Sequence, residues 1–562
     1  MRPAPLLALL CACATAAPEA DYVKALREEY RALGHIQSLL DWYVSTQGET
    51  SLGRLTYLGH DRLFRKQALD AVGAAQAQPG LQPNEALALR FLRRALTSET
   101  VGVAVAPFDD QYADAAASAT VLLPWKEQPV SFRDVPLVIA QEPDAQKRAQ
   151  AYAAMNAVRV ERLNPILLKK EEAAQRAAHD TGYADYVALS EELRGVKLDE
   201  LLAQGIGYLK ATEALFRAQL DRVAQEELGI PREKLRLADT GRLWKAPRLS
   251  KYFGSDLELR ALQAFLGGIG LDLRTATGTE VKVDDSLHPK KVPRAFVDAV
   301  DAPGDVRLSV KPTGGLDDYE TLFHESGHAV HFAAATILPV ELKYLGDSAP
   351  TEGFGEFFRH VFSDPRWLSR YRAFLEAQGR PAPSSAELSA ILRRLALKEM
   401  YYLRRYSFAK IAYELRLHGR PASEITPALA LLPAPDKAAA DLRELYRQLF
   451  SAAYAFDLND EESQAYLTDV DDTFYAADYA RAFVLAGMMH EGVRRRFGDD
   501  WYGNPAVGKF LRAELFEPGM SLTAEEVAQR LGFAPRLDFE AAARRAVQLI
   551  AQADALEAGL RP

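Results

Sequence analysis

Residues 324–328 read His-Glu-Ser-Gly-His, a spacing with a definite chemical meaning. Residues four apart on a helix project from one face, one turn from each other, so His324 and His328 can share one metal ion. Two such imidazoles fit adjacent corners of a tetrahedral zinc, and one zinc per chain is expected. Glu325 is rotated by one residue, where its carboxylate reaches a metal-bound water without ligating the metal. It can take that water's proton and pass it to a leaving amine, while the metal lowers the water's pKa. The pattern is a metallopeptidase signature; its competing explanation is a chance match on a solvated or core helix. The apolar neighbours Leu322, Phe323, Ala329, Val330 and Phe332 predict a buried, rigid helix.

A catalytic zinc takes three protein ligands and keeps a fourth position open. Residues 349–358, Ala-Pro-Thr-Glu-Gly-Phe-Gly-Glu-Phe-Phe, form a second expected helix with Glu352 and Glu356 on one face. One carboxylate can ligate the metal while the other hydrogen-bonds a ligating imidazole from behind. Glu352 is the preferred ligand and Glu356 the preferred outer partner. The alternative, two surface charges on an amphipathic helix, fits poorly with Phe354, Phe357, Phe358, Val361 and Phe362, among which unpaired carboxylates would be costly. His331, one turn beyond His328, is expected to be a packed histidine with a satisfied hydrogen bond. A structural zinc closed by four ligands is disfavoured, because the chain has no cysteine after Cys13. Ligand type alone leaves other divalent metals open.

The rest of the chain must hold these two segments. Its 562 residues, 48% hydrophobic and 26% charged, have the composition of a globular protein, and abundant Ala, Leu, Arg and Glu favour helix. From Asp21 to about residue 225 apolar residues recur at helical spacing, as in Tyr22, Val23, Leu26, Tyr30 and Leu33, or Leu89, Leu92 and Leu96. Residues 101–135, with Pro107, Pro124 and Pro129, are expected to break the helical groups. Residues 228–253 are a second break, and 281–316 a third, in which alternating Val306–Val310 predicts one short strand. Asp317 or Asp318 is then placed to cap a helix running to about Ala335. Helix resumes to about residue 558, interrupted near Pro365, Pro381 to Pro383, Pro433 to Pro435, and Pro505. The expected organisation is an N-terminal helical region, 18–280, forming cleft walls, and a zinc-binding catalytic region, 281–562.

The formal charge of −9, from 77 acidic and 68 basic residues spread along the chain, argues against a nucleic-acid partner. Residues 1–17 read as a secretory signal: Arg2, an apolar run from Leu6 to Ala12, then small residues, too short for a permanent membrane span. Leu10-Cys11-Ala12-Cys13 also resembles a bacterial lipobox. Lipid attachment at Cys13 and simple cleavage after Ala16 or nearby therefore both stay open. Either way the chain is expected to be exported, periplasmic or extracellular, touching a membrane only through such a lipid, and without disulfides.

Residues 317–331, Asp-Asp-Tyr-Glu-Thr-Leu-Phe-His-Glu-Ser-Gly-His-Ala-Val-His, resemble the active-site helix of the thimet oligopeptidase and neurolysin family, and more distantly that of angiotensin-converting enzyme. The resemblance covers roughly residues 285–490. It includes 406–418, Tyr-Ser-Phe-Ala-Lys-Ile-Ala-Tyr-Glu-Leu-Arg-Leu-His, similar to a helix that these enzymes place beside the site. It implies a glutamate ligand a little over twenty residues past the second histidine, which Glu352 matches and Glu356 overshoots. It also implies a tyrosine-rich segment that binds substrate and stabilises the oxyanion. The counterpart is 471–483, where Tyr475 and Tyr479 lie one turn apart and can both face the cleft. The family's further tyrosine is Ala482 here, and Asp469 and Val470 occupy the neighbourhood of its histidine. Either the two tyrosines suffice, another residue substitutes, or the substrate differs; ordinary helix packing is their other explanation.

The resemblance implies an all-α, two-lobed fold with the zinc helix on the floor of a deep central cleft and at most a small β-element beside it. Such a cleft, in a monomer, admits short peptides and excludes folded proteins. The Val306–Val310 strand would line it and take substrate by strand addition. The expected activity is that of a zinc endopeptidase or oligopeptidase, with Glu325 as base and then acid. One alternative is an exported dipeptidyl- or carboxypeptidase of the same group, with Arg481 a candidate for capturing a terminal carboxylate. Another is a zinc-containing peptide-binding protein without efficient catalysis.

Overall fold

A computed structural model describes residues 18–48, 53–288, 291–292 and 294–559; the expected signal segment, with Cys11 and Cys13, lies outside them. The chain is 72% helical and 4% strand, which makes the fold all-α as expected. Its principal helices are α1 (Pro18–Gln47), α2 (Pro83–Ser118), α3 (Leu198–Leu228), α4 (Glu258–Ile269), α5 (Leu316–Ala334), α6 (Ser348–Arg359), α7 (Ser385–Arg404), α8 (Ala476–Phe497) and α9 (Phe539–Glu557). One apolar core runs from Val101 to Leu556 and draws on residues on both sides of position 280. A smaller cluster packs Val23, Leu26 and Leu33 of α1 against Leu89, Leu92 and Leu96 of α2, the two apolar faces read from spacing. No described helix is long and apolar enough to cross a membrane.

The structure corrects three expectations. First, α2 does not break at Pro107 but continues to Ser118. Proline removes one N–H and crowds the carbonyl four residues earlier. That residue, Val103, is exposed, so water can serve its carbonyl, while Val101, Val105 and Ala106 stay buried and hold the helix. The break shrinks to a minimal hairpin, β1 (Thr120–Val121) against β2 (Val130–Ser131).

Second, the 281–316 stretch holds three strands rather than one. These are β3 (Lys282–Asp284), β4 (Phe296–Asp301) and β5 (Asp305–Ser309), in the order β3-β5-β4. The predicted strand is β5, which sits in the middle with both edges paired. It cannot take a substrate strand; the outer edge belongs to β4. Asp298 and Asp301 spoil the apolar alternation of β4, and Ser38 of α1 donates a hydrogen bond to Asp298.

Third, neither Asp317 nor Asp318 caps α5. Gly315, with φ of 105°, is the residue before the helix, and its N–H donates to Phe253 O. Asp318 instead accepts from the N–H and hydroxyl of Thr313, which ties the preceding turn to the first turn of α5. Asp317 pairs with Lys398 of α7 at 2.5 Å, and the same ammonium reaches Glu320 at 2.9 Å. These pairs tie the first turns of α5 to α7.

Candidate metal centre

Helices α5 and α6 meet at their glycines. A Cβ on Gly327 would stand 2.5 Å from the carbonyl oxygen of Phe354 and 2.8 Å from Cα of Gly355. A Cβ on Gly355 would stand 2.8–2.9 Å from three atoms of the His324 ring. The backbones therefore approach as closely as they do only because side chains are missing there. This contact brings Glu352 of α6 over the two histidines of α5.

The three expected ligands converge. His324 Nε2 and His328 Nε2 are 3.1 Å apart, and Glu352 Oε2 lies 3.4 Å and 3.6 Å from them. Zinc bonds of about 2.0–2.1 Å in a tetrahedron require ligand atoms about 3.3–3.4 Å apart, which these distances bracket. Glu352 Oε2 is buried and has no hydrogen bond of its own, as expected of an atom meant for a cation. His324, His328 and Glu352 can thus hold a metal ion.

Hydrogen bonds behind the site fix which nitrogen of His328 is free. His331 Nε2 faces the carbonyl of Gly519 at 3.1 Å, so it must carry the proton. Burial lowers the His331 pKa to about 3 and keeps the ring neutral, which leaves Nδ1 as an acceptor. That nitrogen takes the hydroxyl proton of Thr351 at 3.1 Å. The Thr351 oxygen in turn accepts from His328 Nδ1 at 3.0 Å. His328 therefore presents an unprotonated Nε2 to the metal position, and His331 is the packed, satisfied histidine that was expected.

Behind His324, Nδ1 faces Glu356 Oε1 at 3.3 Å, the outer position expected for this carboxylate. Glu356 Oε2 reaches Arg359 at 2.5 Å and His360 Nε2 at 3.3 Å. The contacts continue from His360 to Glu399 at 3.7 Å and from Glu399 to Arg545 Nε at 3.6 Å. Burial works against charge on His324, yet Glu352 and Glu356 raise its pKa to about 10. Burial likewise works against charge on Glu352, and the two histidines hold its carboxyl well below the usual range. The site is built to surround positive charge, which a metal ion could supply in place of a proton.

A cavity of about 650 Å³ opens over this group. Glu325, His324, His328 and Glu352 line it together with Tyr475, Tyr479, Phe296 and Val297, so β4 forms part of its wall. Both tyrosines face the cavity, but their roles differ. Tyr475 donates to Glu352 Oε1 at 2.7 Å. Tyr479 shares the cavity lining with Arg294, whose guanidinium also lies in the field of Tyr479, Glu325 and Glu352. Burial first, then Glu352, pushes both phenols far above their usual range, so they remain donors.

Other candidates lie elsewhere. Arg481 is bound bidentately to Asp347 at 2.6 and 2.7 Å and reaches Glu525 at 3.0 Å, so it is not free to capture a substrate terminus. Ala482 is fully buried and does not line the cavity. Asp469 is engaged by Arg405 and by the Tyr446 hydroxyl. Sequence reasoning missed Arg294. It sits just before β4 in a stretch without periodicity, and only its place two residues ahead of an edge strand marks it. The chain matches no protein-family model, and no curated protein matches it.

Proposed function

We propose that the chain is a zinc-dependent peptidase acting on short peptides in the cavity between α5, α6, α8 and β4. The observation that carries this reading is the convergence of His324, His328 and Glu352, with Glu325 on the same cavity wall. Two imidazoles and one carboxylate with an open side are the donor set of a catalytic zinc. His324, His328 and Glu352 would hold the zinc, which would supply carbonyl polarisation and a water acidic enough to attack near neutral pH. Glu325 is the residue placed to take the proton from water and return it to the leaving amine. Tyr479 and Arg294 offer donors from the opposite wall to negative charge on the substrate. The unpaired edge of β4 offers backbone groups to an extended peptide, which supports short, unfolded substrates.

One observation favours an exopeptidase within this reading. Arg294 is the only lysine or arginine among the described residues lining the cavity. A guanidinium is a planar fork that matches a carboxylate, so a free peptide C-terminus is its natural partner. The geometry thus supports a dipeptidyl- or carboxypeptidase over an enzyme indifferent to chain ends.

The test pairs metal analysis with a quenched peptide library, for wild type and Glu325→Gln. Both are expected to hold one zinc per chain, with hydrolysis reduced at least about 100-fold in the variant, the lower range for a lost general base. Zinc in both proteins but no cleavage by wild type would leave a zinc-containing peptide-binding protein in its place.

A further inference from the structure

A second cavity, of about 360 Å³, lies between α8 and α9 and shares no lining residue with the metal cavity. Five arginines line it (Arg366, Arg494, Arg495, Arg544 and Arg545) against three carboxylates, Asp364, Glu491 and Asp538. Four of the arginines have carboxylate partners near the surface. Arg545, at the inner wall, does not. Its Nε and Nη2 are buried without a hydrogen bond, and its ion-pair partner Glu399 stands 3.6 Å away, beyond hydrogen-bond reach. A Cβ on Gly487 would stand 3.2 Å from Arg545 Cδ, so the glycine makes room for this guanidinium.

Leaving buried donors of a charged group unmade is costly, and such groups in a native fold call for an explanation. Here the unmade donors border an open, positively charged space. That space is roughly ten times a water's share of liquid volume, about 30 Å³, and is therefore too large for a single halide.

We propose that this cavity is a binding site for a small organic anion bearing two or more carboxylate or phosphate groups. One group takes the free N–H donors of Arg545, and Arg494 and Arg544 at the rim hold the other. Guanidinium forks match both kinds of oxyanion, so the shared chemistry is multivalent anionic oxygen. A bound anion would sit at the far end of the contacts that lead through Glu399, His360 and Glu356 to His324. The proposal does not rest on the peptidase reading.

Titration calorimetry on the zinc-loaded full chain, at fixed ionic strength, tests it with glutarate, fructose 1,6-bisphosphate and chloride. At least one of the two organic anions is expected to bind saturably with one site per chain, and the stronger of them identifies the carboxylate or phosphate source. Chloride is expected to give no saturable heat. Arg545→Leu should weaken binding at least tenfold, and the rim variants Arg494→Ala and Arg544→Ala at least threefold each. The rim residues are half-exposed, so those two variants decide the matter if Arg545→Leu does not fold. Failure of both organic anions to bind would overturn the proposal. So would binding unchanged by the rim substitutions, which would place the anion elsewhere, or chloride binding as tightly as the organic anions.

Discussion

Tyr475 donates its hydroxyl proton to Oε1 of Glu352 at 2.7 Å, while Oε2 of the same carboxylate faces His324 and His328. The tyrosine is itself held by Arg194, whose guanidinium lies 4.9 Å from the ring centroid. Tyr475 thus orients a candidate metal ligand, and its hydroxyl is not free for a developing oxyanion. Partners of this kind are worth about 10–100-fold in metal affinity or activity. Tyr475→Phe is expected to weaken zinc binding by about that factor, measured by competition with a chelator. Unchanged zinc affinity with a reduced turnover would instead return Tyr475 to the oxyanion role.

The glycines at the crossing of α5 and α6 make a second prediction. Alanine in place of a helical glycine gains up to about 1 kcal/mol of propensity, whereas overpacking costs about 1–3 kcal/mol or more. At Gly355 the clash is with the His324 ring, which can rotate but not without leaving its position over Glu352. At Gly327 the clash is with backbone, which cannot move alone. Gly355→Ala should therefore lose zinc affinity with a modest change in Tm, and Gly327→Ala should lose Tm most. Equal zinc affinity in Gly355→Ala and wild type would show that the contact does not position His324.

His324 and His328 were legible in the sequence through helical spacing, which also put Glu352 and Glu356 on one face; the choice of Glu352 matched the spacing that the resemblance implied, and the burial of those faces followed from their phenylalanines. Tyr475 and Tyr479 were legible as cavity residues, since one turn separates them. Their division of labour was not, because it depends on which hydroxyl reaches Glu352 across 123 residues of chain. Arg294 was invisible for a related reason: a lone cation outside any periodic element carries no local signal. The strand at 305–309 was visible through its alternation, but strand order is non-local, and only pairing with β3 and β4 removes its edges. Pro107 misled because a proline ends a helix only when the freed carbonyl has nowhere to turn.

Glu258, at the start of α4, accepts the N–H of Gly314 at 3.0 Å just before the metal helix. Burial first, and Asp318 second, push its carboxyl up from 4.5 to about 8. Between pH 4.5 and 8 the folded chain keeps a proton that the unfolded chain releases. Stability at this residue therefore falls as pH rises through that window and levels off above it. Glu258→Gln preserves the acceptor for Gly314 and removes the titration. Its Tm should exceed that of wild type by more at pH 8.5 than at pH 5, in thermal scans at both values. An equal gap at the two pH values would count against the buried carboxyl as the source.

Arg294 bears on which peptides the proposed peptidase would cut. It lines the same cavity as Tyr479, and despite burial the fields of Tyr479, Glu325 and Glu352 raise its pKa further. If zinc occupies the site, its +2 charge is balanced by those two carboxylates, and the guanidinium then leaves the cavity with a surplus positive charge that a peptide C-terminus would neutralise. Paired substrates that differ only in a free or amidated C-terminus separate this role from others. Wild type should prefer the free acid by about tenfold or more in kcat/KM, chiefly through KM, since one charge-assisted hydrogen bond contributes about 1.5–3 kcal/mol. Arg294→Ala should abolish the preference and leave the amidated peptide unaffected. A variant that slows both substrates equally through kcat would show instead that Arg294 stabilises the oxyanion and would count against recognition of the chain end.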